Sequence, residues 1–282
     1  MVTSFREIFA EIKGILKNSG IENYQFEASI LAEFVLKIRH EEIPMMFEKS
    51  IDLGDKIRLV DFAKRRAEGF PLQYIVGEWE FFGYPFKVGE GVLIPRQDTE
   101  TLVETVINLT KKASPKIVDL CSGSGCIGIS LEKEICGADV TCVELSGKAF
   151  GFLQENITLN SSKARAVLGD VLSEDFAKNF TDFDVVVSNP PYLSLEDMNA
   201  LQKEVSFEPE MALNAGEDGL FFYREVTRIW KNALKKGGKI AYEIGINQEN
   251  SLREILAENG FFNIEMHKDL CGIFRVVTAE KN

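Results

Sequence analysis

Histidine is almost absent from this chain: His40 and His267 are the only imidazoles in 282 residues. That is too few for a histidine-rich metal centre, and it leaves little scope for a histidine general base. The five cysteines (Cys121, Cys126, Cys136, Cys142 and Cys271) are odd in number and lack the paired spacing of zinc ligands. Reduced, mostly buried thiols are expected, and no metal. No apolar run approaches the ~20 residues that a membrane span needs, so no membrane partner is expected. The stretch Met1-Val2-Thr3-Ser4-Phe5-Arg6-Glu7 lacks the basic-then-apolar layout of a signal peptide, which points to a cytoplasmic protein. Positive charge is also short, with 32 basic against 44 acidic side chains and a net charge of −12. Residues 1–72 hold 11 basic and 12 acidic groups and the remainder 21 and 32, so the deficit lies in the later part. Such a surface repels a phosphate backbone and argues against stable nucleic-acid binding.

Two folding patterns divide what is present. Residues 1–72 are expected to form a small helical bundle that serves as a docking module. Phe5, Ile8, Phe9, Ile12, Ile15 and Leu16 make one apolar stripe, opened by a Ser4–Glu7 capping box. A second helix is expected over 23–37, with Phe26, Ile30, Leu31, Phe34 and Val35 turned inward, and a third over 55–68 through Ile57, Val60 and Phe62. Its basic run, Lys64-Arg65-Arg66, reads as a solvated helix end. Gly69-Phe70-Pro71 breaks that helix, and the aromatic-rich segment over 73–90 reads as a β-hairpin linker.

Over 91–282 helical and strand patterns alternate, which specifies an α/β domain with a mostly parallel sheet. Lys116-Ile117-Val118-Asp119-Leu120 is a strand. It runs into Cys121-Ser122-Gly123-Ser124-Gly125-Cys126-Ile127-Gly128, a G-x-G-x-x-G loop between strand and helix. A dinucleotide would set its pyrophosphate on that helix N-terminus. Asp119, just before the glycines, would repel it and would suit a cation, which favours S-adenosylmethionine as cofactor. Two further strands end in acids. Glu144 stands 21 residues after Gly123, a spacing suited to both ribose hydroxyls, and Asp170 can accept from an adenine amino group. A fourth strand, Phe183-Asp184-Val185-Val186-Val187, delivers Ser188-Asn189-Pro190-Pro191-Tyr192 beside them. Two consecutive prolines end the strand and make a stiff corner rich in acceptors. A helix over 219–236, a fifth strand over 239–244 and a terminal hairpin through 263–267 and 274–278 complete the pattern.

This ordered set resembles class I S-adenosylmethionine-dependent methyltransferases that act on a planar nitrogen. Gly69–Gly77, Val92–Glu100, Glu208–Leu213 and Gly216–Arg224 narrow the resemblance to the HemK/PrmC family, the glutamine methyltransferases of peptide chain release factors. The likeness covers nearly the whole chain. It implies a Rossmann-like domain with a seven-stranded sheet and an antiparallel C-terminal hairpin. It further implies methyl transfer to the amide nitrogen of the glutamine in a Gly-Gly-Gln loop, with release factors as partners. Cofactor contacts implied are Gln97, Asp119, Cys121, Gly123, Ser124, Gly125, Glu144, Asp170 and Asn189. Asn189, Pro190 and Tyr192 would be catalytic, and with Pro191 would hold the substrate amide. The chain departs from the family pattern at Cys121, where Gly is usual, and at Gln97-Asp98, where Pro-Glu is commoner. The rival reading is a nucleic-acid adenine methyltransferase, because adenine offers Asn189 the same N–H geometry.

Overall fold

The computed structural model describes residues 4–110 and 113–282; Met1–Thr3 of the N-terminal stretch read above lie outside the described residues. Contacts divide the chain into two units, one running to Gly77 and taking in Gln202–Phe207, the other made of Glu78–Leu201 and Glu208–Asn282. Among the described residues no helix is long and apolar enough to cross a membrane.

The first unit is helical: α1 (Phe5–Asn18), α2 (Tyr24–Leu36), α3 (Ile43–Met46), α4 (Leu53–Ala67) and α5 (Leu72–Val76). The capping box forms as the spacing predicts, with the Ser4 N–H on Glu7 Oε2 at 3.0 Å, and α1 buries Phe5, Ile8, Phe9, Ile12 and Leu16. Helix α2 turns differently from the expectation. It buries Ala28, Ser29, Leu31, Ala32 and Val35 and leaves Phe26 55% exposed. Small residues on the inner face let helices approach closely, and a helix apolar on both sides gives periodicity little to decide between. In the same way α4 buries Leu59, Ala63 and Arg66, while Ile57 stays exposed.

The basic end of α4 is not a solvated run. Arg66 turns inward with its side chain 4% exposed, and its Nε donates to Glu27 Oε2 at 2.6 Å. It also bonds Glu204, in the segment that returns to this unit. A guanidinium buried between two carboxylates meets the rule that buried charge must be paired. Helix α5 occupies the start of the stretch expected to be hairpin. The hairpin itself is β1 (Glu78–Phe81) with β2 (Tyr84–Lys87), in the second unit.

That unit continues through α6 (Glu100–Leu109), β3 (Lys116–Leu120), α7 (Cys126–Glu134), β4 (Asp139–Glu144), α8 (Gly147–Leu159), β5 (Arg165–Leu168), α9 (Glu174–Ala177) and β6 (Phe183–Ser188). After α10 (Leu195–Asn199) come α11 (Phe221–Trp230), β7 (Leu234–Glu243), α12 (Glu249–Glu258), β8 (Phe261–Lys268) and β9 (Phe274–Lys281). Helix α11 is shorter than the 219–236 pattern suggests, because Lys231–Ala233 tightens to a 3-10 turn and β7 begins at Leu234.

The sheet order is β5-β4-β3-β6-β7-β9-β8. All neighbours from β5 to β7 are parallel, and β9 runs antiparallel to both β7 and β8. Strand alternation splits the core into two layers: Val118, Leu120, Val186, Ile240 and Tyr242 pack on one face, and Ile117, Val185, Val187 and Ala241 on the other. Chain order reverses between β3 and β6, the switch point where open α/β sheets bind ligands at their carboxyl ends.

Candidate active site

A cavity of about 740 Å³ opens at those carboxyl ends, a size suited to a cofactor together with part of a second ligand. Its wall carries Cys121, Gly123, Ser124, Glu144, Asp170, Asn189 and Pro191, so four successive strand ends meet there. The register explains why. Leu120 is level with Val143 and with Ser188, Glu144 with Leu168, and the Ser188 hydroxyl donates to Leu120 O at 2.6 Å, tying two strand ends together.

The glycine loop is shaped by positive φ at Cys121 (58°), Gly123 (55°) and Gly125 (83°). Cys121 holds a left-handed backbone that an L side chain adopts at a cost of roughly 1–2 kcal/mol, at the position where the resemblance leads one to expect glycine. Gly128 is fixed by close approach, since a Cβ there would stand 2.3 Å from Cys142 Sγ. Asn156 of α8, wholly buried, pins the loop from below: its Nδ2 donates to Ser124 O at 2.9 Å and to Lys87 O at 3.1 Å, and its Oδ1 accepts the Lys87 N–H at 2.6 Å.

The three acids occupy different depths. Both Glu144 oxygens are engaged by loop backbone, from Gly123 N–H at 2.8 Å and Ser146 N–H at 2.7 Å, which aims the carboxylate at the cavity. Asp170 Oδ1 accepts the Leu172 N–H at 2.8 Å. Asp119 lies under the loop and off the cavity wall, fully buried, with Oδ2 accepting the Gly128 N–H at 3.1 Å. Its Oδ1 has no hydrogen-bond partner among the described residues. Burial pushes its carboxyl up to about 7, against the Gly128 bond that favours the charged form.

At the Asn-Pro-Pro-Tyr corner, Asn189 Nδ2 donates to Thr99 Oγ1 at 3.3 Å, which leaves its Oδ1 open as an acceptor. Pro190 is buried and off the wall, and Tyr192 turns away from the cavity to place its hydroxyl 3.4 Å from Glu243 Oε1. Gln248 Nε2 donates to the Tyr192 carbonyl at 3.0 Å and braces the corner. Gln97 is exposed and also off the wall.

Four residues of the site are given no role by the sequence: Thr99 and Glu208, which lie within segments that carry the resemblance, and Asn156 and Glu243, which lie outside them. Arg96 lines the cavity and pairs with the buried Glu208, whose Oε2 accepts the Ile94 N–H at 3.0 Å. Tyr223 braces from below, its hydroxyl donating to Glu243 O at 2.8 Å. A lone acid closing the apolar run Ile240-Ala241-Tyr242-Glu243 is the one signal that points to Glu243, and for Thr99 the one signal is its place in the Val92–Glu100 segment. Among the described residues on the wall Arg96 is the only cation, and it is already paired. The donor set therefore fits a ligand rich in hydroxyl, amino and positive groups, as S-adenosylmethionine is, and not a pyrophosphate.

The Methyltransferase small domain matches residues 97–216, and the PrmC N-terminal domain matches residues 7–77. The chain is similar to the release factor glutamine methyltransferase of Fusobacterium nucleatum, 38% identical over 98% of this chain and 78% of that one. It is also similar to the protein of that name from Clostridium acetobutylicum, 38% identical over 94% of each. Among solved structures, the catalytic domain of hMettl16 superposes with a TM-score of 0.58 over 78% of this chain and 81% of that one, at 17% identity. A methyltransferase from Pyrococcus furiosus gives 0.52 over 72% and 91%, at 16% identity. These two likenesses establish a class I methyltransferase fold, and the curated relatives establish more: the chain belongs to the release factor glutamine methyltransferase family.

Proposed function

We propose that this protein transfers a methyl group from S-adenosylmethionine to the side-chain amide nitrogen of the glutamine in the Gly-Gly-Gln loop of peptide chain release factors. The observation that carries the reading is the commitment of the Asn189 amide nitrogen to Thr99. It leaves a carbonyl oxygen on a cavity wall whose other polar groups suit a cationic, hydroxyl-rich cofactor.

When bound, the cofactor supplies an electrophilic methyl group on a sulfonium. Glu144 would hold the ribose hydroxyls and Asp170 the adenine amino group, with Cys121, Gly123 and Ser124 lining the path, while Gly125 stands off the wall. Asn189 Oδ1 accepts an N–H of the substrate amide. An amide nitrogen is a poor nucleophile because its lone pair is delocalised. Holding that N–H orients the nitrogen and favours localising the pair, and orientation alone supplies ~7 kcal/mol or more. The proton leaves after the nitrogen has become cationic, so no histidine base is required. The helical unit that runs to Gly77 docks the release factor, and the unit that begins at Glu78 with the hairpin carries the chemistry. The reaction is cytoplasmic, and the acidic surface keeps nucleic acid from being a stable partner.

The test is incubation with labelled S-adenosylmethionine and either a release factor, a release factor whose loop glutamine is replaced, or adenine-containing DNA. Label confined to the loop glutamine is expected. Label in DNA with none in the release factor overturns the reading.

A further inference from the structure

Two stretches distant in sequence lie side by side in the cavity wall. One is the Asn-Pro-Pro-Tyr corner, which gives Asn189 and Pro191; the other covers 209–222 and gives Asn214, Ala215, Phe221 and Phe222. Just past the corner, backbone joins them. The Leu193 N–H donates to Leu213 O at 2.9 Å, the Ala215 N–H to Leu193 O at 2.8 Å and the Leu195 N–H to Gly216 O at 3.1 Å. At Tyr192 itself the partner of the carbonyl is a side chain, that of Gln248.

The Gln248 backbone is anchored at the start of α12, where its carbonyl accepts the Leu252 N–H at 3.0 Å. Its side-chain amide works at both ends. Oε1 accepts the Gly245 N–H at 2.9 Å, while Nε2 donates to Tyr192 O at 3.0 Å and to Gly219 O at 3.4 Å. The two protons of one amide nitrogen therefore reach the corner and the turn that leads into α11. The fit there is close. Gly219 holds a φ of 72°, and a Cβ on it would stand 2.5 Å from Tyr192 O and 3.0 Å from Gln248 Nε2. We infer that Gln248 is a positioning residue for methyl transfer, fixing the spacing between the Asn189 acceptor and the 209–222 stretch of the wall. The inference rests on the function proposed above. Glu144 and Asp170 have their own support, from the N–H groups of Gly123, Ser146 and Leu172, so the cofactor side of the cavity is held independently.

The experiment measures kcat and KM for Gln248→Met, Gln248→Glu, Gly219→Ala and the Gln248→Met/Gly219→Ala double variant. It uses release factor and S-adenosylmethionine, at a temperature well below each unfolding midpoint. Methionine keeps the length of glutamine without its hydrogen bonds; glutamate keeps the acceptor for Gly245 and loses both donors. Displacement of the corner predicts a fall in kcat of roughly 10- to 100-fold for either substitution. KM for S-adenosylmethionine should stay within about twofold, a split that a general loss of folding does not give. Gly219→Ala forces the same two stretches apart and should lower kcat similarly, with the double variant falling much less than the product of the single losses. Unchanged kcat in Gln248→Glu, a KM for S-adenosylmethionine that rises in step with the fall in kcat, or single losses that multiply in the double variant overturns the inference. If Gln248→Glu does not fold, Gln248→Met decides, and normal turnover there overturns it. An inactive wild type toward release factor would instead sink the proposed function, so the two failures are distinguishable.

Discussion

Asn189 has one amide group, and a neighbouring hydroxyl already claims one end of it. The Thr99 contact at 3.3 Å takes the nitrogen, so the oxygen is what the cavity receives. Asn189→Ala removes that acceptor and should lower methyl transfer by on the order of 10²–10³. Cofactor affinity, measured by calorimetry, should change little. The thiols make a second residue-scale test. Burial pushes Cys126 up to about 12 and also raises Cys121 and Cys142 far above the ordinary thiol range, whereas Cys136 and Cys271 are exposed. Only a thiolate alkylates readily. Brief iodoacetamide treatment of the native protein at pH 8 should therefore mark Cys136 and Cys271 in mass spectra and spare the other three. At this scale the sequence was most informative where a residue's type limits its chemistry, as at Glu144 and Asn189. It was least informative at Thr99 and Asn156, ordinary polar residues whose importance comes from what the fold sets opposite them.

At the level of elements, the glycine loop and α7 act as one piece. The Gly128 N–H bonds the buried Asp119, and there is no room between α7 and β4 for a methyl group at that position. Gly128→Ala should destabilise the protein by about 1–3 kcal/mol through overpacking, seen as a lower midpoint in thermal unfolding. Cys142→Ala, which removes the sulfur the new Cβ meets, should recover part of the loss. Strands were legible because parallel β3, β4 and β6 are apolar runs ended by acids, prolines or glycines. Helix faces were less so. Phe26 and Ile57 carry the periodicity of core residues, yet they stay outside while Ala28, Ala63 and Arg66 go in. Periodicity ranks positions by hydrophobicity, but close helix packing selects for small size, and a paired arginine satisfies burial by other means.

For the molecule as a whole, stability should fall with rising pH across the weakly acidic range. The Asp119 and Glu243 carboxyls are raised to about 7 by burial, so between about pH 4 and 7 the folded state binds more protons than the unfolded chain. Raised acid pKa values give stability at low pH that is lost as pH climbs toward 7. Asp119→Asn should flatten the dependence of the unfolding midpoint on pH in that window. The two-part organisation could be read from the change of pattern near residue 72. That the helical unit also takes in Gln202–Phe207 could not, because no local pattern marks a segment that returns. Arg66→Ala should cost about 3–5 kcal/mol in urea unfolding, because it strands Glu27 in partial burial and removes the anchor of Glu204.

The returning segment also sets a clock. Arg66 and Glu204 are 138 residues apart in the chain. At ~5–20 residues per second, a ribosome needs on the order of ten seconds to supply the second carboxylate after the guanidinium has been made. For that interval α1, α2 and α4 can gather around Arg66 and Glu27 alone, with the buried charge only partly matched. The helices thus begin to assemble early, but their last ion pair must wait until β3 to β6 have been synthesised.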